Sequence, residues 1–166
     1  MKIRLIAPLI AALLFSLPMF SLPNTVAADP ASVFTSLKGL AGEWEATDEK
    51  GNPAITTLKL VSGGSAIMEE MPHESMVTMY HMDNDRLLMT HYCSAMNQPR
   101  MQAESSPDGK TIVFNFIDGT NIDKASVGHM QKMTLTIQDK DHFSEKWIFS
   151  GGGKEQAKTI EYTRKQ

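Results

Sequence analysis

Met76-Val77-Thr78-Met79-Tyr80-His81-Met82-Asp83-Asn84-Asp85-Arg86-Leu87-Leu88-Met89-Thr90-His91-Tyr92-Cys93 is the stretch whose reading decides the fold. Two runs of alternating residues flank a cluster of Asp and Asn, the pattern of an antiparallel hairpin. Successive strand side chains point to opposite faces. An even-length turn places Met76, Thr78, Tyr80 and Met82 on the same face as Leu87, Met89, His91 and Cys93. The second set is the more apolar one on its strand, so both sets are expected to point inward. A three-residue turn over Asp83–Asp85 would reverse Tyr80.

Working outward, the same period recurs on both sides. Candidate strands are Glu43–Thr47, Ile55–Val61, Ala66–Met71, Met76–Met82, Leu87–Cys93, Arg100–Glu104, Thr111–Ile117, Gly128–Ile137, His142–Phe149 and Lys158–Arg164. Turn chemistry separates them at short intervals, so neighbours in sequence should be neighbours in space. The fold class is therefore all-β, an up-and-down antiparallel meander. A meander of this length has two edges to hide, and closing into a barrel hides both. Before the first strand, Val33, Phe34, Leu37 and Leu40 recur at helical spacing, which predicts one short amphipathic helix over Ala31–Leu40 capping the closed end.

The turns sort the two ends. Ser62-Gly63-Gly64, Asp83-Asn84-Asp85, Pro107-Asp108-Gly109 and Asp139-Lys140-Asp141 are tight and alternate with the remaining connections. Those others, Asp48–Pro53, Pro72–Ser75, Ser94–Pro99, Asp118–Val127 and Ser150–Gln156, read as mostly longer and looser. The long loops gather at one end, and a loop-rich barrel mouth is where a ligand usually enters.

Ahead of the barrel, Lys2 and Arg4 precede an apolar run from Leu5 to Phe20, and Val26-Ala27-Ala28 supplies small residues for cleavage. Residues 1–28 read as a secretory signal peptide, with the barrel domain over residues 29–166. The expected location is periplasmic or secreted after cleavage near Ala28. The apolar run is short and broken by Pro8 and Pro18, so no stable membrane anchor is expected. Removing Lys2 and Arg4 leaves 14 basic against 19 acidic side chains, a net charge of −5. That balance argues against nucleic acid as a partner. Cys93, the one cysteine, cannot form an internal disulfide, and burial as a small apolar residue is its expected state. The outer face of the central hairpin (Val77, Met79, Leu88, Tyr92) is also apolar, so either a monomer or a homodimer fits.

At Gly42-Glu43-Trp44 the chain meets a known pattern. A short helix, then Gly-x-Trp opening the first strand of a meander, resembles the calycin superfamily of lipocalins, fatty-acid-binding proteins and nitrobindin-like barrels. In lipocalins a late Arg packs on that Trp at the closed end, and Arg164 matches in position; the resemblance makes Trp44 and Arg164 structural residues. The segment from Met76 to Met101 also resembles lipocalin-like proteins exported by bacteria that have no assigned role. Ten strands exceed the lipocalin eight, and the long C-terminal lipocalin helix is absent. The strand count is closer to the fatty-acid-binding or nitrobindin style. The glycine-rich opening of haem-binding nitrobindins is missing, so their haem role is not carried over.

Strand parity gives the candidate site. Ile112, Phe114 and Phe116 line the seventh strand. His129 shares the face of Met133, Leu135 and Ile137 on the eighth. On the ninth, Phe143, Trp147 and Phe149 bring Glu145 inside. Ligand-binding residues are therefore expected to be Tyr80, Met89, His91, Phe114, Phe116, His129, Met133, Glu145 and Trp147, an apolar lumen with sparse polar points. The expected ligand is a small apolar or amphiphilic molecule, with no cofactor. An inward Glu145 needs a partner, for which Arg100 or His129 could serve. The alternative is a metal site of His73, His91 and His129 near the mouth, holding Zn or Cu, or a haem. A second alternative is an enzyme acting on a small hydrophobic substrate through Glu145 or His91. Cys93 and His91, two apart on one strand, are too distant for a thiol–imidazole pair.

Overall fold

The central hairpin pairs Met76–Asp83 (β4) with Arg86–Tyr92 (β5) through the two-residue turn Asn84-Asp85. Asn84 takes the left-handed conformation (φ 55°) that such a turn needs. The loop is even in length, so Tyr80 faces Met89 and Thr78 faces His91 on the inner side. The computed structural model describes residues 26–47, 51–123 and 127–166. Residues 1–25 of the expected signal peptide lie outside them.

The same alternation builds the other strands: Gly42–Thr47 (β1), Pro53–Val61 (β2), Ala66–Met71 (β3), Gln98–Ser105 (β6), Thr111–Thr120 (β7), His129–Ile137 (β8), His142–Gly151 (β9) and Lys154–Arg164 (β10). Each pairs antiparallel with its sequence neighbours, and β1 pairs with β10, so the ten strands form one closed up-and-down barrel. The helix runs over Pro30–Lys38 (α1). The Asp29 side chain accepts from the Ser32 backbone N–H at 3.0 Å, and Pro30 occupies the first turn, where its missing N–H costs nothing. Val33, Phe34 and Leu37 are its buried face.

That face plugs the tight end. Trp44 is fully buried, and its indole donates to the Leu40 carbonyl at 2.8 Å. The Arg164 guanidinium lies 4.2 Å from the Trp44 ring centroid. It also donates to the carbonyls of Gly39, Ala41 and Lys140, so one side chain ties the end of α1 to the β8–β9 turn. Phe143 meets Trp44 edge-on at 4.6 Å and stacks on Tyr162 at 4.4 Å. Gly42 stands at φ 144°, and a Cβ there would lie 2.7 Å from the Arg164 guanidinium. The Gly-x-Trp spacing thus reserves space for the arginine that covers the tryptophan.

Two strands carry register shifts. In β6–β7 the shift falls between Arg100 and Met101. In β8–β9 it falls between Met130 and Lys132, with Gln131 as the extra residue. The second shift changes which residue of β8 lines the cavity: Met130 pairs with Phe149, while His129 pairs with Ser150 and is buried against Phe116 instead.

The mouth differs from expectation in one connection. The Ser150–Gln156 segment is no long loop. β9 and β10 run on to a two-residue turn at Gly152-Gly153, both left-handed (φ 59° and 73°), and form the longest ladder of the barrel. The longer connections at this end are residues 93–97 and 121–128, with residues 48–50 and 124–126 outside the described set. Asn97 pins the first to the second by donating to the Gly128 carbonyl at 2.8 Å.

Candidate functional site

The lumen divides into a filled half and an open half. From the helix end upward, Trp44, Phe143, Tyr162, Tyr80, Phe114, Met89, Met101 and Met133 pack into one buried core. Tyr80 and Phe114 meet edge-on at 5.6 Å. Four predicted ligand residues, Tyr80, Met89, Phe114 and Met133, belong to this packed half and are closed off by it.

Above the core a cavity of about 370 Å³ opens at the mouth. The end of β3 and the turn after it supply Met71 and Glu74, and β4 and β5 supply Met76 and His91. On the opposite side β8 and β9 supply Met130, Trp147 and Phe149, while β10 supplies Gln156, Ala157, Lys158 and Ile160. The long β9–β10 hairpin is therefore one wall of the site. Of the nine ligand residues read from the sequence, only His91 and Trp147 line this cavity. Phe116 and His129 stack on each other at 4.4 Å outside it, and both ring nitrogens of His129 are engaged, by the Val127 carbonyl and the Gln131 side chain.

His91 is 1 % exposed. Its Nδ1 hydrogen-bonds the Thr78 hydroxyl at 2.9 Å, and its ring lies 4.6 Å from that of Trp147. Its Nε2 is buried with no hydrogen-bond partner. Burial lowers the imidazole pKa to about 4, so the ring is neutral at physiological pH.

Directly below, two carboxyls meet. Glu69 on β3 and Glu145 on β9 are both 0 % exposed and close enough to perturb each other's ionisation. Glu69 also accepts from the Tyr80 hydroxyl at 2.7 Å, and Glu145 accepts from the Trp147 indole at 2.9 Å. One oxygen of each has no N–H or O–H donor. Two anions cannot share so dry a place, and one proton between the carboxyls removes the repulsion and supplies the missing donor. Burial is the main cause that raises Glu69 to about 7 and Glu145 well above the usual carboxylate range. Neither Arg100 nor His129 is the partner of Glu145. Arg100 is exposed and forms a two-bond pair with Asp118, and both ring nitrogens of His129 are engaged by Val127 and Gln131.

The His73, His91 and His129 trio does not assemble. His73 sits beside Glu74 at 3.5 Å in the β3–β4 turn, His91 stacks near Trp147, and His129 is buried against Phe116 with both ring nitrogens engaged. Among the described residues no three His, Cys, Asp or Glu side chains are grouped to hold a metal. Cys93 is half-buried and unbridged.

Glu69, Met71, Met130 and the β10 residues are the site residues that strand parity had not supplied. Ile67, Glu69 and Met71 alternate on one face, which is the signal for the first two. Met130 and Met133 are apolar yet three apart, a spacing that period two cannot place on one face without a bulge. At the rim Lys158 pairs with Glu74 at 2.6 Å across the opening between β10 and the β3–β4 turn. No family model matches the chain, and no curated protein matches it significantly.

Proposed function

We propose that this chain is an exported small-molecule-binding barrel of calycin type, taking a compact amphiphile at the mouth after loss of its N-terminal 28 residues. One observation carries the reading: a cavity of about 370 Å³ with mostly Met and aromatic walls and a single unpartnered polar atom, His91 Nε2, among them. Ligand cavities of roughly 300–1,000 Å³ with apolar walls and few polar groups are the usual form of a small-molecule site. Apolar contact supplies affinity at about 25 cal/mol per Å² buried. His91 and the Lys158–Glu74 pair orient the head group. The filled lower half excludes a long acyl chain stretched along the barrel axis, so a short or branched amphiphile fits better than a full-length fatty acid.

A titration with an environment-sensitive apolar fluorophore tests this. One saturable site per chain is expected, displaced by short amphiphiles more readily than by long-chain acids. Gln156 is exposed at the rim, so Gln156→Trp should obstruct the cavity and weaken binding about tenfold or more without lowering the unfolding midpoint. Binding unchanged in that variant, or no saturable binding at all, would overturn the reading.

A further inference from the structure

The donor atoms around the cavity have a composition that an amphiphile site does not require. We propose that Met71, Met76 and His91 form a binding site for a soft monovalent metal ion, Cu(I), on two thioether sulfurs and one imidazole nitrogen.

The barrel brings the three together. Met71 ends β3, Met76 begins β4, and they are direct partners across the ladder. Both are buried and both line the cavity. Side chains in direct register start about 4.5–5.5 Å apart. His91 stands opposite Thr78, one inward position along from Met76, a diagonal of about 7–8 Å that long side chains span.

The imidazole is set up as a ligand. Its Nδ1 is held by Thr78 and its Nε2 is buried without a partner; in the tautomer that donates Nδ1–H to the Thr78 hydroxyl, Nε2 carries the free lone pair. Such a second hydrogen bond fixes the orientation of a metal-ligating histidine. A buried ring nitrogen without a partner carries an uncompensated desolvation cost, which a bound ion removes.

The donor set selects the ion. Thioethers are soft and uncharged, and such ligands prefer Cu(I) to Zn, Ca or Mg. A neutral donor set in an apolar cavity also favours a single over a double positive charge. Trp147 presents its ring beside His91, where a π face can shield a cation. The one polar contact to these sulfurs is the Ser94 hydroxyl on Met76 Sδ at 3.6 Å, which leaves that sulfur a second lone pair. Glu74 at the rim is engaged by Lys158 and His73.

The inference is independent of the amphiphile reading, although the two share a cavity. The test is an anaerobic titration of the whole protein with Cu(I) against a chromophoric Cu(I) chelator, repeated with Ag(I). One equivalent should be withdrawn from the chelator. The double variant Met71→Leu/Met76→Leu keeps shape and volume. It should lose affinity by at least about two orders of magnitude. Thr78→Val should cost about 10–100-fold by freeing the ring. The unfolding midpoint of the double variant should stay close to that of the parent, so that a lost ion cannot be ascribed to a misfolded barrel. Failure to withdraw the ion, retention of affinity in the double variant, or equal affinity for Zn(II) would each overturn the metal site. Loss of fluorophore binding from the parent protein would overturn only the amphiphile reading.

Discussion

At the scale of single residues, two buried groups give the protein opposing responses to pH. A carboxyl raised by folding binds its proton more tightly in the native state than when unfolded. Its contribution is full below the unfolded value of about 4.5 and is lost as pH rises through the folded one, about 7 for Glu69, with Glu145 raised in the same direction. A histidine lowered by folding does the reverse. The His91 contribution is present above about 6.5 and is lost as pH falls toward 4. The two oppose each other between about 4.5 and 6.5, and above that only the carboxyls act. Thermal melts should therefore show the midpoint falling as pH rises from 6.5 through 7, the unfolding free energy dropping by up to about 1.4 kcal/mol per pH unit for each proton released. Glu145→Gln keeps an acceptor for Trp147 and gives Glu69 a permanent donor, so its curve should be flatter over that interval. An equally steep curve in the variant would place the titrating group elsewhere. At the closed end, Trp44→Ala should cost about 3–5 kcal/mol, measured by urea unfolding. Trp44 and Arg164 were readable from sequence because a glycine two residues before a tryptophan, with a late arginine, is a local pattern. Glu69 was less readable, because a charged residue within an apolar strand looks like a surface position until its parity is followed through Ile67 and Met71.

At the scale of elements, connections decide which residues form the site. The two-residue Asn84-Asp85 turn preserves parity, and the inward set of the central hairpin was predictable from it. The Gln131 bulge alters parity, exchanging His129 for Met130, and an alternation count that assumes unbroken strands cannot see it. The Gly152-Gly153 turn has the larger consequence, since it converts an expected loop into a long hairpin that walls the cavity. Both residues have positive φ, as a tight hairpin of this hand requires. Gly152→Asn should be tolerated. A Gly152→Val/Gly153→Val double variant should loosen the hairpin tip and weaken ligand binding, with the barrel still folding cooperatively. Amide exchange read residue by residue checks this, with faster exchange expected in residues 148–158 and little change in β4 and β5. At the other end, Asp29→Ala should cost about 0.5–2 kcal/mol through loss of the helix cap.

At the scale of the whole molecule, the barrel was legible because every strand pairs with its chain neighbours, so sequence order is spatial order. The division of the lumen was not legible, since the same inward Met and Phe residues can fill a core or line a void. Packing around the Trp44–Phe143–Tyr162 stack decides between those, and it depends on all ten strands together. One ladder is unlike the others: β1 and β10 pair through only Trp44 with Arg164 and Glu45 with Thr163, extended by the Lys165 N–H to the Glu43 carbonyl at 2.9 Å. Those partners lie at opposite ends of the domain sequence. During synthesis the ring therefore stays open until β10 emerges, with the first strand carrying an unpaired edge until then. Removing the residues after Thr163 should produce a form that populates dimers through exchanged strands, detectable by light scattering. Arg164 and Lys165 act as a latch, and the moment at which they arrive sets when the nascent chain stops being able to pair with another copy of itself.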